Sequence, residues 1–315
     1  MMGDREDGNG TAQRLTLREA MLGAANELSA QGVDEARSNA ELLLLHVLGM
    51  ERSQLLRDFG EPFPADKAEA WTELVRRKAL GEPIQYMIGE QWFYGRPFAV
   101  TPAVLIPRPE TELLVEAVLE AADKLWPPEA EPAPTVVDVG TGSGAIAVTL
   151  ASQRPRWRLC ASDLSPDALA VARTNAARHE ADGRIVFVQG DLLAPFVPGR
   201  DKTEHAGLRI DVLVSNPPYI PAADMEGLQR EVRDYEPHLA LVGGEDGLDP
   251  YRRMIDQLPQ LAVLPRIVAF ELGIGQPRLV AAMLERMSAW DDIRIITDYG
   301  GIERHVIATQ SQPRE

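Results

Sequence analysis

The segment VSNPPYI, Val214 to Ile220, sets Asn216 and Tyr219 around two prolines directly after an apolar run that reads as a buried strand. Proline cannot donate to a sheet ladder and holds the residue before it extended, so the strand ends here in a rigid corner poor in donors. Such a corner suits a planar NH2 group. The Asn216 side-chain oxygen and the Pro217 main-chain carbonyl can both accept from it, Pro218 adds no rival donor, and Tyr219 offers a flat face. An amide nitrogen is a weak nucleophile because its lone pair is delocalised, so methylating one requires that its N–H groups be held and its lone pair aimed. Asn-Pro also opens ordinary turns; the position at a strand's carboxyl end, where open α/β sheets bind ligands, favours the chemical reading.

Upstream, VVDVGTGSGAIAV puts Gly140, Thr141, Gly142, Ser143 and Gly144 between a strand and a helix. Missing side chains let the backbone approach a ligand there, and the helix N-terminus faces it. Gly140, Gly142 and Ala145 also satisfy a dinucleotide pattern, with Asp163 following at about the ~20 residues expected of a ribose-binding acid. These motifs imply a nucleoside site without fixing its chemistry. Asp138 before the glycines and Asp191 at the end of the next strand but one tilt the choice. Carboxylates suit a cationic sulfonium bearing an amino group better than a pyrophosphate, although each acid alone could be a cap or a solvated loop residue.

The elements that must carry these residues can be read from periodicity. From Thr16 to about Leu80 the pattern is helical, opened by the capping box TLRE, with a second helix closed by Gly49 and a third from Pro64 to Gly81. Aromatic and β-branched residues flanking Gly95 and Arg96 predict a hairpin, and Pro109 starts a helix. Strands and helices then alternate through TVVDVG, RLCASDL, RIVFVQGDL, IDVLVSNPPYI and RIVAFELG, with helices from Gly144, Pro166, the Met225 to Asp234 region, Pro250 and Gln276. This predicts an α/β, doubly wound, Rossmann-like sheet, and two terminal strands around Gly300 and Gly301 would add an antiparallel edge. The expected division is a disordered tail over 1–14, a helical bundle over 15–81, a β-hairpin linker over 82–108 and the sheet domain over 109–315.

At 315 residues, 45% hydrophobic and 25% charged, the chain has material for a sizeable core and a second small domain. A net charge of −16 argues against bulk nucleic acid as the main partner, since neutralising phosphates needs clustered Lys and Arg. Cys160 is the only cysteine, which excludes an internal disulfide and fits a reducing cytoplasm. The polar opening is not a secretory signal, no apolar run approaches the ~18 residues of a membrane span, and the histidines lack metal-ligand spacing.

Taken in order, PIQYMIGEQWFYG, VLIPRPETELLVE, VVDVGTGSGAIAV, SDLSPDALAVARTNAARH, VSNPPYI and YEPHLALVGGEDGLDPYRRMI resemble one family, the protein-(glutamine-N5) methyltransferases of peptide-chain release factors. The likeness runs from about Leu15 to Ile307. It implies S-adenosylmethionine held by Gly140 to Gly144, with Asp163 on the ribose, Asp191 and Leu192 near the adenine, and Asn216 beside the methyl. It further implies that Asn216 to Tyr219 hold the glutamine of a Gly-Gly-Gln tripeptide, that the helical domain helps dock a release factor, and that a cytoplasmic monomer performs direct methyl transfer. In IPRPETE, Arg108 or Glu110 could face the pocket or merely start a helix, and Glu271 could line the pocket or end its strand. The alternatives are an N6-adenine DNA methyltransferase, since the corner also suits a flipped base, and a nucleoside-binding module without catalysis.

Overall fold

A computed structural model describes residues 15–127, 129–200 and 204–311; the expected tail over 1–14 lies outside them. The chain divides into two units, residues 1–88 and 89–315. In the first, Thr16 caps α1 (Leu17–Ala30), and its side chain and that of Glu19 each accept from the other's backbone N–H, the predicted capping box. Gly49 in the left-handed region ends α2 (Ala36–Leu48). Helices α3 (Arg52–Arg57) and α5 (Ile84–Ile88) are too short to display a helical period, whereas the long α4 (Ala68–Ala79) lies within the predicted third helix. Met21, Leu28, Leu43, Leu44, Leu55, Trp71 and Val75 form this unit's core.

The second unit opens with the antiparallel hairpin β1 (Glu90–Phe93) and β2 (Arg96–Ala99), turned at Tyr94 and Gly95, both with positive φ. That geometry matches the right-handed twist of paired strands, so the turn sits one residue earlier than Gly95 and Arg96. Pro109 occupies the first turn of α6 (Pro109–Leu125), where its missing N–H costs no bond.

The main sheet contains β3 (Thr135–Val139), β4 (Arg158–Asp163), β5 (Ile185–Gln189), β6 (Val212–Ser215), β7 (Ile267–Glu271), β8 (Asp292–Thr297) and β9 (Glu303–Thr309). Their order is β5-β4-β3-β6-β7-β9-β8, with β3 to β7 parallel and β9 and β8 antiparallel. The last strand thus inserts beside β7 and leaves β8 at the edge, matching a largely buried β9 and a half-exposed β8. Between the strands run α7 (Ala145–Gln153), α8 (Pro166–Arg178), α9 (Arg230–Tyr235), α10 (Asp249–Gln257) and α11 (Pro277–Met287). The helix expected from Met225 to Asp234 is only the six-residue α9 after an irregular turn.

Alternation along each strand builds two cores. Val136, Ala161, Val214 and Ala269 face α6, α7 and the hairpin, whereas Val137, Cys160, Leu213 and Phe270 face α10 and α11. Strands β4 and β5 extend to one side of β3 and β6 and β7 to the other. The chain reverses direction across the sheet between β3 and β6, which opens a crevice at their carboxyl ends.

Candidate active site

The glycine turn follows β3 at that crevice. Gly140 and Thr141 both donate their N–H groups to the Ser162 carbonyl, at 2.8 and 2.9 Å, which bends the chain across the end of β4. Gly140 and Gly142 have φ of +71° and +55°, and a Cβ on either would meet no protein atom within 4 Å. The left-handed backbone requires glycine there, and the space above it is open. Asp138 is fully buried beneath the turn, where Oδ2 accepts from Thr141 Oγ1 at 2.6 Å and Ala147 N at 3.2 Å. Burial pushes its carboxyl up to about 7. Asp138 therefore anchors the turn from below and is not part of a carboxylate cluster on the cavity wall.

A cavity of ≈ 380 Å³ lies over the turn, within the size range of small-molecule sites. Gly140, Thr141, Gly142 and Ser143 line one side, Asp163, Asp191 and Leu192 another, and Asn216 and Pro218 a third. Gly144 lies behind the wall, capping α7 against Ala172. Asp163 accepts from Gly142 N and Ser165 N, both at 2.9 Å, one on each oxygen. A carboxylate has about four acceptor positions, so Asp163 keeps capacity for a hydroxyl. Burial raises this carboxyl while the backbone donors pull it down. Asp191, two residues beyond β5, pairs with Arg253 at the exposed rim, and Leu192 is held at φ +52°.

Ser215 Oγ donates to the Val139 carbonyl at 2.6 Å and fixes the end of β6 beside the glycine turn. Asn216 Nδ2 donates to Thr111 Oγ1 at 3.2 Å, whereas Asn216 Oδ1 is buried with no hydrogen-bond partner. An unsatisfied buried acceptor costs about 1–3 kcal/mol, a cost that an arriving N–H group removes. Pro217 is buried behind the wall. The Tyr219 ring packs on the second core rather than on the cavity, and burial, with Glu271 nearby, pushes its phenol up to about 12.

Two matched models divide the sequence: the PrmC N-terminal domain over residues 19–89 and the methyltransferase small domain over 111–231. The release factor glutamine methyltransferase of Bacillus anthracis is 41% identical over 294 residues, covering 93% of this chain and 99% of its own. That of Moorella thermoacetica is 42% identical, covering 93% and 98%. The chain belongs to the release factor glutamine methyltransferase family. A solved structure of the hMettl16 catalytic domain, in complex with MAT2A 3'UTR hairpin 6, shares the fold at a TM-score of 0.50 and 15% identity, covering 80% of this chain and 84% of that one.

In this family member the structure places Arg108, Glu110 and Glu271, which the sequence left open, and adds residues that the sequence did not mark. Arg108 does line the cavity and pairs with buried Glu236 at 2.6 Å, but Glu110 does not line it; Thr111 does. Burial raises the Glu236 carboxyl and Arg108 pulls it back down. Glu271 sits under the wall and accepts from Thr111. Asn175, wholly buried, donates to the Ser143 and Ala99 carbonyls and accepts from Ala99 N, tying the hairpin to the glycine turn. Gln276 donates to the Tyr219 carbonyl at 2.9 Å. Residues Pro237 to Gly244 close the cavity beside the NPPY corner, with Gly243 N donating to the Ile220 carbonyl. A usable signal existed in VGGEDG: a Cβ on Gly247 would stand 2.1 Å from the Tyr219 carbonyl oxygen, so only glycine lets this segment lie against the corner.

Proposed function

We propose that this methyltransferase transfers a methyl group from S-adenosylmethionine to the side-chain amide nitrogen, N5, of the glutamine in the Gly-Gly-Gln motif of peptide-chain release factors. The observation that carries the reading is Asn216 Oδ1, an acceptor without a partner at the end of β6, on a residue that lines the same cavity as the glycine turn. The residues present fit the cofactor. An open glycine turn accommodates the amino acid end, Asp163 offers acceptors to ribose hydroxyls, and Asp191 with apolar Leu164 and Leu192 borders a flat base. S-adenosylmethionine supplies a methyl on a cationic sulfonium, so direct in-line transfer makes one N–C bond, breaks one S–C bond and releases one amide proton.

The chain's own contribution is positioning. Asn216 Oδ1 accepts from the target NH2, Pro217 behind the wall keeps the corner rigid, the prolines add no competing donor, and Pro218 borders the amide. Tyr219 serves through its main chain, held by Gln276, rather than through its ring. The helical unit docks the release factor, and the enzyme works as a cytoplasmic monomer; among the described residues no helix is long and apolar enough to cross a membrane. An N6-adenine DNA reading is not favoured, because the relatives that match almost end to end carry the release factor name and the chain is strongly acidic.

The test is incubation with labelled S-adenosylmethionine and a purified release factor, followed by mass mapping. One methyl on the Gly-Gly-Gln glutamine is expected. Label on any other residue overturns the substrate assignment.

A further inference from the structure

Asn216 is the end of a hydrogen-bonded relay drawn from separate elements. Its Nδ2 donates to Thr111 Oγ1 at 3.2 Å, and the Thr111 hydroxyl donates to Glu271 Oε2 at 2.6 Å. Thr111 stands in the first turn of α6 and Glu271 closes β7; they are 5% and 2% exposed, so water does not compete. Across the ladder from Glu271 lies His305, wholly buried, with Nε2 3.7 Å from Glu271 Oε2.

A threonine hydroxyl has one proton. Because Thr111 gives it to a carboxylate, Oγ1 can only accept, and the part of the Asn216 amide that faces it must be the NH2. The other end, Oδ1, is thereby left as an acceptor that no protein donor engages. With the amide turned over, Asn216 would confront a target NH2 with its own N–H groups, donor against donor.

We propose that Thr111 and Glu271 are positioning residues: their hydrogen-bonded pair fixes the orientation of the Asn216 amide and so keeps its oxygen available to the nitrogen that receives the methyl group. This rests on the reading of Asn216 as the residue that holds the target amide. It adds two residues 160 positions apart to the machinery, one in a helix start and one at a strand end.

The experiment compares Thr111→Val, Thr111→Ser and Asn216→Ala in the full chain, measuring kcat and KM on a purified release factor and S-adenosylmethionine affinity by calorimetry. Thr111→Val keeps the shape and removes the proton and the acceptor. It should lose about tenfold or more in kcat, the scale of one misdirected buried hydrogen bond, with cofactor affinity unchanged within about twofold. Thr111→Ser restores the hydroxyl and should recover most of the loss. Wild-type turnover in Thr111→Val, or Thr111→Ser as impaired as Thr111→Val, overturns the proposal. Activity retained in Asn216→Ala removes the reading of the site itself, whereas an inactive Asn216→Ala beside a fully active Thr111→Val removes only the positioning role. If Thr111→Val does not fold, Glu271→Gln carries the same question. Its amide can donate to Thr111 and reverse the relay, so lowered kcat is expected and unchanged kcat overturns the proposal.

Discussion

Asp138→Asn should flatten the pH dependence of stability. The carboxyl is fully buried under the glycine turn, one oxygen accepts from Thr141 and Ala147, and the other has no partner. Burial penalises its charged form, raising it from 3.8 to about 7, a difference of 7 − 3.8 = 3.2. A raised carboxyl holds its proton in the folded state after the unfolded chain has released it. Its contribution to stability is therefore full below 3.8, falls as pH rises through the window up to about 7, and is lost above it. At 1.36 kcal/mol per unit the part of that window above pH 5 is worth about 3 kcal/mol. Asparagine keeps the shape and one acceptor but never ionises. Urea unfolding of both proteins from pH 5 to pH 8 should show the parent losing roughly 3 kcal/mol relative to Asp138→Asn, whatever the offset between them at pH 5. Parallel curves would refute the reasoning, because they would mean that Asp138 is already ionised in the fold and that its burial is compensated.

Gly247→Ala forces a Cβ to 2.1 Å from the Tyr219 carbonyl oxygen at a backbone φ of +77°, so the NPPY corner must shift. Turnover should fall at least about tenfold with the fold retained by circular dichroism, and unchanged turnover would show that the corner tolerates displacement. Asn175→Leu removes three hydrogen bonds, two to Ala99 and one to Ser143, takes the partner from the buried Ser143 carbonyl, and should cost about 2–4 kcal/mol in denaturant unfolding while weakening S-adenosylmethionine binding through the glycine turn. Thr16→Ala removes the cap of α1 and should cost ~1 kcal/mol, read as a lower melting temperature with cofactor affinity unchanged.

The parts of the site legible in the sequence are those whose evidence is local. Gly140, Gly142 and Gly144 announce a strand-to-helix turn by spacing within five residues, Asp163 follows at the end of the next strand, and NPPY marks its own strand end. The element order followed from period 2 and period 3.6 alternation, and the short helices α3 and α5 escaped because neither spans two turns. Tyr219 shows a related limit. The motif indicates that a ring is present, not which side of the chain it packs on, and the second core takes it.

Sequence by itself determined the fold class, the glycine turn and the proline-stiffened strand end that carries Asn216, because each depends on residues that are neighbours along the chain. The tertiary structure decided which partners make them work. Thr111 reaches Asn216 across 105 positions and Glu271 across 160, Asn175 reaches the hairpin across 76, and Gln276 reaches Tyr219 across 57. A hydrogen bond leaves no mark in a single sequence when its two ends are brought together only by the order of strands in the sheet. That is why the NPPY strand end can be read from four adjacent letters, and the hydrogen-bond partners of Asn216 cannot.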